Sequence, residues 1–234
     1  MPIHSHKIQF ALGKSIIMDN IFMPGCALLL YKPHLAAQTE EYLQSSGYVA
    51  GRNEICCHHA QPFPPATKML VACSGCARRL RQEHEGLIPV SLWQIMAEDE
   101  NLKLPDYGGI TMSVHDACPT HSDPQVTSAV RLLLTRMNIL IEEAKLNRAN
   151  AVCCGDSYYP ALSEAKILQK MQERAVQMPA AEVAVYCVSC IKSMVNGGKK
   201  PRYLLDLVFG EATEADELSP KAWHRELEAF IDAH

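Results

Sequence analysis

The sequence predicts an α/β fold built from two pseudo-symmetric repeats, with a further helix at the C-terminus. Short apolar segments with the pattern of strands alternate with helical segments along the chain, which is typical of parallel sheets. The ten cysteines fall into two sets of five with the same order. Residues 201–206 also match residues 89–94 in placement and pattern. We therefore expect an internal duplication of small Rossmann-like parallel-sheet domains.

The first half predicts two strands and three helices around a proline-rich loop. The helix over 33–46 has Pro33 in its first turn and Gly47 after its end, which favours these boundaries. Pro62, Pro64 and Pro65 indicate a rigid loop before the second strand. The predicted elements are possible short strands over 7–10 and 15–18, then a strand over 21–26, a helix over 33–46, a strand over 68–72 and helices over 74–84 and 90–98.

The second half repeats this order with different lengths. Ser122 or Asp123 is the expected cap of a helix over 123–137, and Pro179 stops a helix over 161–177 that the first half lacks. The other predicted elements are a strand over 110–114, a short strand and part of a helix within 138–152, a strand over 181–186 and helices over 188–195, 204–209 and 220–233. We expect an N-terminal extension (1–20), a first domain (21–104), a second domain (105–210) and a helical tail (211–234).

Composition and charge exclude several classes of function. With 48% hydrophobic and 21% charged residues, the chain has the composition of an ordinary globular protein. A net charge of -4 gives no electrostatic footprint for nucleic acid. The sequence shows no signal-peptide pattern and no apolar stretch that approaches the roughly 20 residues of a membrane span. We therefore expect a cytoplasmic protein, in which ten cysteines indicate metal or redox chemistry rather than disulfides.

Adjacent cysteines stand at the centre of each set. Successive side chains of extended backbone point to opposite faces, and neighbouring cysteines are too close for an ordinary disulfide, so we expect both thiols to hold a ligand. One cysteine precedes each pair, and a Cys-x-x-Cys follows it. The first set is Cys26, Cys56, Cys57, Cys73 and Cys76, and the second set is Cys118, Cys153, Cys154, Cys187 and Cys190.

The number of cysteines in each set favours a polynuclear centre. Thiolates are ligands of iron–sulfur clusters, zinc and Cu(I). Structural zinc takes four ligands, whereas the several irons of a cluster can each take a separate thiolate. A strand followed by Cys-x-x-Cys on a helix is also the arrangement of a thioredoxin-like redox dithiol. Its recurrence behind a Cys-Cys pair in both halves favours clusters.

Histidines accompany both sets. His58 and His59 follow the first Cys-Cys pair, and His115 and His121 flank Cys118. Reduction of a disulfide to two thiols needs protons, which a histidine with a pKa of about 6.5 can supply. We therefore consider His58 and His115 candidate catalytic proton donors. A hydrogen bond to a cluster sulfur and direct binding of a metal are the alternative roles.

The two sets resemble the cysteine-rich CCG domains in the catalytic subunit of heterodisulfide reductase, which also occur in iron–sulfur subunits of glycolate, lactate and glycerol-3-phosphate oxidation systems. The family pattern is one cysteine, a long gap, Cys-Cys-Gly, a similar gap and Cys-x-x-Cys. In the second set 34 residues separate Cys118 from Cys153, and 32 separate Cys154 from Cys187. In the first set the gaps are 29 and 15 residues, and His58 replaces the glycine. The resemblance covers residues 22–209.

The resemblance implies that the five cysteines of each set bind a noncubane [4Fe-4S] cluster and that the two clusters face one another. It further implies an oxygen-sensitive, heterodisulfide reductase-like oxidoreductase, the catalytic subunit of a complex, that reduces a small disulfide or thiol-derived substrate. Its electrons would come from a ferredoxin-like iron–sulfur subunit or a flavoprotein, because the chain has no ferredoxin-type cysteine run and no dinucleotide fingerprint. Two alternatives stay open: a non-catalytic electron-transfer subunit of a flavoprotein dehydrogenase complex, and a zinc-stabilised binding module.

Overall fold

Two parallel sheets with flanking helices form the protein. The computed structural model describes residues 20–216 and 218–233. Within this part of the chain there are two four-stranded sheets, and every strand pair in them is parallel. The predicted fold class is confirmed: two Rossmann-like α/β halves precede a C-terminal helix. The strands proposed over 7–10 and 15–18 lie outside the described residues.

The first half carries the sheet with strand order β2-β1-β3-β4. Its elements are β1 (Asn20–Met23), α1 (Cys26–Tyr31), α2 (Pro33–Ser45), β2 (Gly51–Arg52), β3 (Lys68–Val71), α3 (Ser74–Glu83), β4 (Ile88–Ser91) and α4 (Leu92–Glu98). The predicted start of the last helix at Val90 is wrong, because Val90 and Ser91 pair in register with Leu70 and Val71 and belong to β4. The six-residue helix α1 was not predicted.

The second half carries the sheet with strand order β6-β5-β7-β8. Its elements are β5 (Thr111–His115), α5 (Pro124–Arg136), β6 (Leu140–Ile141), α6 (Glu164–Val176), β7 (Glu182–Val185), α7 (Val188–Asn196), β8 (Lys200–Tyr203) and α8 (Leu204–Phe209), and α9 (Pro220–Ala233) follows. The Asp123 carboxylate accepts a hydrogen bond from the Val126 N–H at 3.2 Å, which confirms the predicted cap of α5. The part-helix expected within 138–152 is wrong: only a 3₁₀ turn, Arg148–Asn150, forms there.

The duplication extends to the register of the strands. Met23 at the end of β1 lies opposite Val71, as His115 at the end of β5 lies opposite Val185. In each half the last strand runs directly into a short helix, β4 into α4 and β8 into α8. Between β2 and β3 the described chain has no helix, so α6 is the main element that the halves do not share.

A continuous core and a buried ion pair join the halves. Trp93 of α4 is buried and lies edge-on to Tyr186 and Tyr203 of the second half, with ring centroids 6.4 Å apart in both pairs. The Lys32 ammonium lies 2.8 Å from the Asp206 carboxylate of α8, and both side chains are buried. The two sheets therefore form one packed unit.

Candidate metal centre

The cysteines follow the carboxyl ends of the strands at the place in each sheet where ligands are expected to bind. In an open parallel sheet, ligands bind where successive connections run in opposite directions from neighbouring strands. That point lies between β1 and β3 in the first sheet and between β5 and β7 in the second. Cys26 and Cys73 follow the first two strands, and Cys118 and Cys187 follow the second two.

In the first half, close backbone packing brings three of the cysteine-bearing segments together. Cys73 is the N-cap of α3, and its sulfur accepts a hydrogen bond from the Cys76 N–H at 3.4 Å. Gly25 has a φ of +82°, and a Cβ added to it would lie 3.1 Å from both the Cys73 Cβ and the Cys76 Sγ. A side chain before Cys26 would therefore press on the Cys-x-x-Cys turn.

The second half builds the same arrangement with more hydrogen bonds. The Cys190 thiol lies 3.5 Å from the Cys154 sulfur, which also accepts a hydrogen bond from the Ser193 hydroxyl at 3.3 Å. The Cys153 sulfur lies 2.8 Å from the Ser157 hydroxyl and accepts the Gly155 N–H at 3.3 Å. All ten cysteines of the two sets are free thiols.

The contacts between thiols are the same in both sets. Cys26 hydrogen-bonds to Cys56 as Cys118 does to Cys153, and Cys57 contacts Cys76 as Cys154 contacts Cys190. The described structure therefore brings together all five predicted cysteines of each set. This equivalence holds although the gaps in the first set are shorter and although His58 takes the place of Gly155.

Hydrogen bonds between the thiols select the same ionised position in each half. The bond from Cys26 lowers the pKa of Cys56, and the bond from Cys118 lowers the pKa of Cys153, in both cases despite burial. Donation of these bonds raises the pKa of Cys26 and of Cys118. The first cysteine of each adjacent pair is therefore the thiolate that forms first, and a thiolate is the form that binds metal.

One cavity connects the two sets. It has a volume of about 300 Å³, and every cysteine except Cys56 contributes to its wall. Tyr186 and Tyr203 line it from the second half, and Leu227 and Ile231 of α9 line it as well. The described structure therefore shows buried, cysteine-rich groups that could bind metal, facing a shared space.

The comparisons with known proteins identify no family. No family model matches this chain, and no curated protein matches it either. Among the described residues, no helix is long and apolar enough to cross a bilayer.

The candidate histidines occupy different environments. His58 is exposed and lines the cavity, and its ligand atoms group with those of Cys56 and Cys57 within 4.8 Å. His115 is fully buried and forms a similar group with Cys154 and Cys190, but it is not part of the cavity wall. Burial and, secondarily, Arg174 lower the pKa of His115 to about 3. His115 is therefore neutral at ordinary pH in the described structure.

The loop before Cys118 is held by a buried polar network that the sequence pattern did not reveal. The Asp116 carboxylate receives hydrogen bonds from Arg131 at 2.8 and 2.9 Å and from the Tyr186 hydroxyl at 3.2 Å. Burial alone would raise the pKa of Asp116, but the bond from Arg131 gives a net lowering. Tyr186 precedes Cys187, so this network ties two cysteine-bearing segments of the second set together.

The C-terminal helix covers the cavity, whereas the sequence suggested only a solvated or partner-facing helix. The Trp223 side chain is buried and donates to the Ser189 hydroxyl of α7 at 3.0 Å. A ring nitrogen of His224 lies 3.1 Å from Asp156, and a ring nitrogen of His59 lies 2.8 Å from the Ile231 carbonyl oxygen. Hydrophobic periodicity predicts the helix and its apolar face, but it gives no information on which surface that face covers.

Proposed function

We propose that this protein is an iron–sulfur oxidoreductase in which each five-cysteine set binds one noncubane [4Fe-4S] cluster. The observation that carries the proposal is the cavity of about 300 Å³ whose wall includes nine cysteines from both sets. Five thiols at each end suit several irons that each take a separate thiolate. The resemblance of the sequence to the CCG domains of heterodisulfide reductase supports the same assignment.

An unpaired polar atom beside the second set supports the fit of a cluster. The Nε2 atom of His115 is buried and has no hydrogen-bond partner among the described residues. Buried polar atoms in native proteins almost always have a partner, and leaving one unpaired is costly. A bound group that presents acceptor sulfurs beside Cys154 and Cys190 would satisfy this atom.

A zinc site is the second candidate, and one distance favours it. The Cys154 and Cys190 sulfurs are 3.5 Å apart, close to the separation of about 3.8 Å that two thiolates have on one tetrahedral zinc ion. Zinc leaves at least one thiol of every set without a function, because a structural zinc site takes four ligands. Iron–sulfur clusters use all ten cysteines, so we favour them.

We infer that the substrate is a small disulfide or a thiol-derived compound that enters between the two sets. When bound, the clusters would supply electrons one at a time and iron atoms with affinity for sulfur. The overall reaction is RSSR + 2 e⁻ + 2 H⁺ → 2 RSH, with the electrons provided by a ferredoxin-like or flavoprotein partner. His58 is the candidate donor for these protons because it is exposed and also lines the cavity.

The apolar residues of α9 would protect this chemistry from water. Leu227 and Ile231 of α9 lie on the cavity wall, and Trp223 anchors the same helix to α7 through Ser189. Exclusion of water strengthens electrostatic interactions inside a site and suppresses side reactions of reactive intermediates. The cavity between the sets also favours an enzyme over an electron-transfer subunit, which needs no space for a substrate.

The experiment that tests this function is the reduction of a small disulfide by anaerobically purified protein, with reduced methyl viologen as the electron donor. We expect turnover that depends on both sets, so that Cys26→Ser and Cys118→Ser each abolish it. A protein that exchanges electrons with the viologen but reduces no disulfide would support the electron-transfer alternative. Colourless protein that contains zinc and no iron would support the zinc-stabilised binding module.

A further inference from the structure

A buried arginine beside the second set has no carboxylate partner among the residues that the structure describes. Arg174 of α6 is 1% exposed. Its guanidinium donates to the Gln177 side-chain oxygen at 2.7 Å, to the Leu146 carbonyl oxygen at 3.1 Å and to the His115 Nδ1 at 3.2 Å, all of which are neutral acceptors. Asp116, the nearby carboxylate, is bound to Arg131 instead. A buried cation without a counterion is costly, so an anionic group is expected nearby.

The hydrogen bond from Arg174 fixes the role of His115. A guanidinium can only donate, so the Nδ1 of His115 must accept, and the proton of the neutral ring is on Nε2. This Nε2–H is the buried group without a partner. The ligand atoms of His115, Cys154 and Cys190 lie within 4.8 Å of one another. His115 is therefore an N–H donor beside the second set rather than a metal ligand.

The first set lacks both parts of this device. The residue equivalent to His115 in strand register is Met23, which is buried and has no N–H in its side chain. Arg174 is on α6, the helix that has no counterpart between β2 and β3. The basic side chains that line the cavity near the first set are Arg78, which is exposed, and Arg79, which pairs with Glu83. Water screens such exposed charges more than it screens a buried one.

Hydroxyl donors add to the difference between the sets. Ser193 donates to the Cys154 sulfur, and the Ser157 hydroxyl contacts the Cys153 sulfur. The corresponding positions in the first half, three residues after Cys76 and four after Cys56, are Arg79 and Ala60. Hydrogen bonds to the sulfurs and the local charge are two of the factors that set the reduction potential of an iron–sulfur cluster.

We propose that the second set holds the more easily reduced of the two clusters because His115, supported by Arg174, donates its Nε2–H to a sulfur of that cluster. This inference rests on the proposed function. An added electron makes a cluster more negative, so a hydrogen-bond donor and a buried positive charge stabilise the reduced form and raise its potential. In this step one electron from an external one-electron donor reduces the second cluster, and no bond is broken. Arg174 and His115 are positioning residues in this scheme.

The test is an anaerobic potentiometric titration of the full-length protein, followed by low-temperature EPR. We expect two separate one-electron steps. A Cys56→Ser/Cys57→Ser variant, which empties the first set, should keep only the step at higher potential. Arg174→Met should shift that step to more negative potential and leave the other step unchanged. His115→Met, which copies Met23 of the first half, should give a shift in the same direction.

Conservative variants separate this effect from a loss of folding. Arg174→Lys keeps the charge and His115→Gln keeps an N–H donor, so each should restore part of the shift at unchanged iron content. Iron content near that of the unmodified protein, with both steps unmoved or moved equally by Arg174→Met, would overturn the inference alone. A higher step that belongs to the first set would also overturn it. Protein without iron would overturn the inference and the proposed function together.

Discussion

Gly155, which follows the second Cys-Cys pair, offers a sharp test of how the backbone places the cysteines. Its φ is +110°, and an added Cβ would lie 2.7 Å from the Met171 Cγ and 2.9 Å from the Met171 backbone nitrogen of α6. A non-glycine residue held at positive φ costs about 1–3 kcal/mol. Overpacking adds about 1–3 kcal/mol. We therefore expect Gly155→Ala to lower the free energy of unfolding by about 2–6 kcal/mol.

Gly47 provides the matched control, because it has a φ of +75° but nothing lies within 4 Å of an added Cβ. Gly47→Ala should cost only the backbone strain of about 1–2 kcal/mol. The assay is urea unfolding of the metal-free proteins, with iron content measured on anaerobically purified samples. We also expect Gly155→Ala to lose iron from the second set, since Cys153 and Cys154 must shift when the loop moves away from α6. Equal stability of the two variants, with equal iron content, would refute the reasoning.

Three further predictions concern the join between the halves, the cover of the cavity and the proton donor. Lys32→Met leaves Asp206 buried without its cation, so urea unfolding should show a loss of about 3–5 kcal/mol. A Leu227→Gln/Ile231→Gln variant admits water to the cavity, so its visible absorption should bleach faster in air than that of the unmodified protein. His58→Gln removes the proton donor on the cavity wall, so disulfide reduction should slow by about 100-fold at unchanged iron content.

Each of these variants has a control elsewhere in the chain. Lys200→Met removes an exposed ion pair with Glu182 and should cost less than about 1 kcal/mol. Glu226→Gln changes an exposed position of α9 and should not alter the bleaching rate. His34→Gln changes an exposed histidine that pairs with Glu211 and should leave turnover unchanged. If a variant and its control behave alike, the corresponding role is wrong.

The order of the cysteines was sufficient to predict the grouping of the thiols. Strands that alternate with helices predict parallel sheets, whose carboxyl ends collect the residues that follow them. Cys26, Cys73, Cys118 and Cys187 therefore converge in pairs as a consequence of connectivity alone. Local capping chemistry likewise predicted the start of α5 at Asp123.

The features that were missed depend on contacts between distant residues. β4 is only four residues long and includes Pro89 at the edge of its sheet, so its pattern merges with that of α4. His115 and Arg174 are 59 positions apart, and no local signal indicates that both are buried and hydrogen-bonded. The position of α9 over the cavity depends on Trp223 and Ser189, which likewise meet only in the folded chain.

The content of iron and acid-labile sulfide per chain, measured on anaerobically purified protein together with low-temperature EPR, tests the central claim most directly. Our account predicts about eight iron and eight sulfide per chain, because each five-cysteine set holds one four-iron cluster. The Cys153→Ser variant should contain about half of each. Zinc without sulfide, or no more than about one iron per chain, would contradict the assignment of clusters to the two sets.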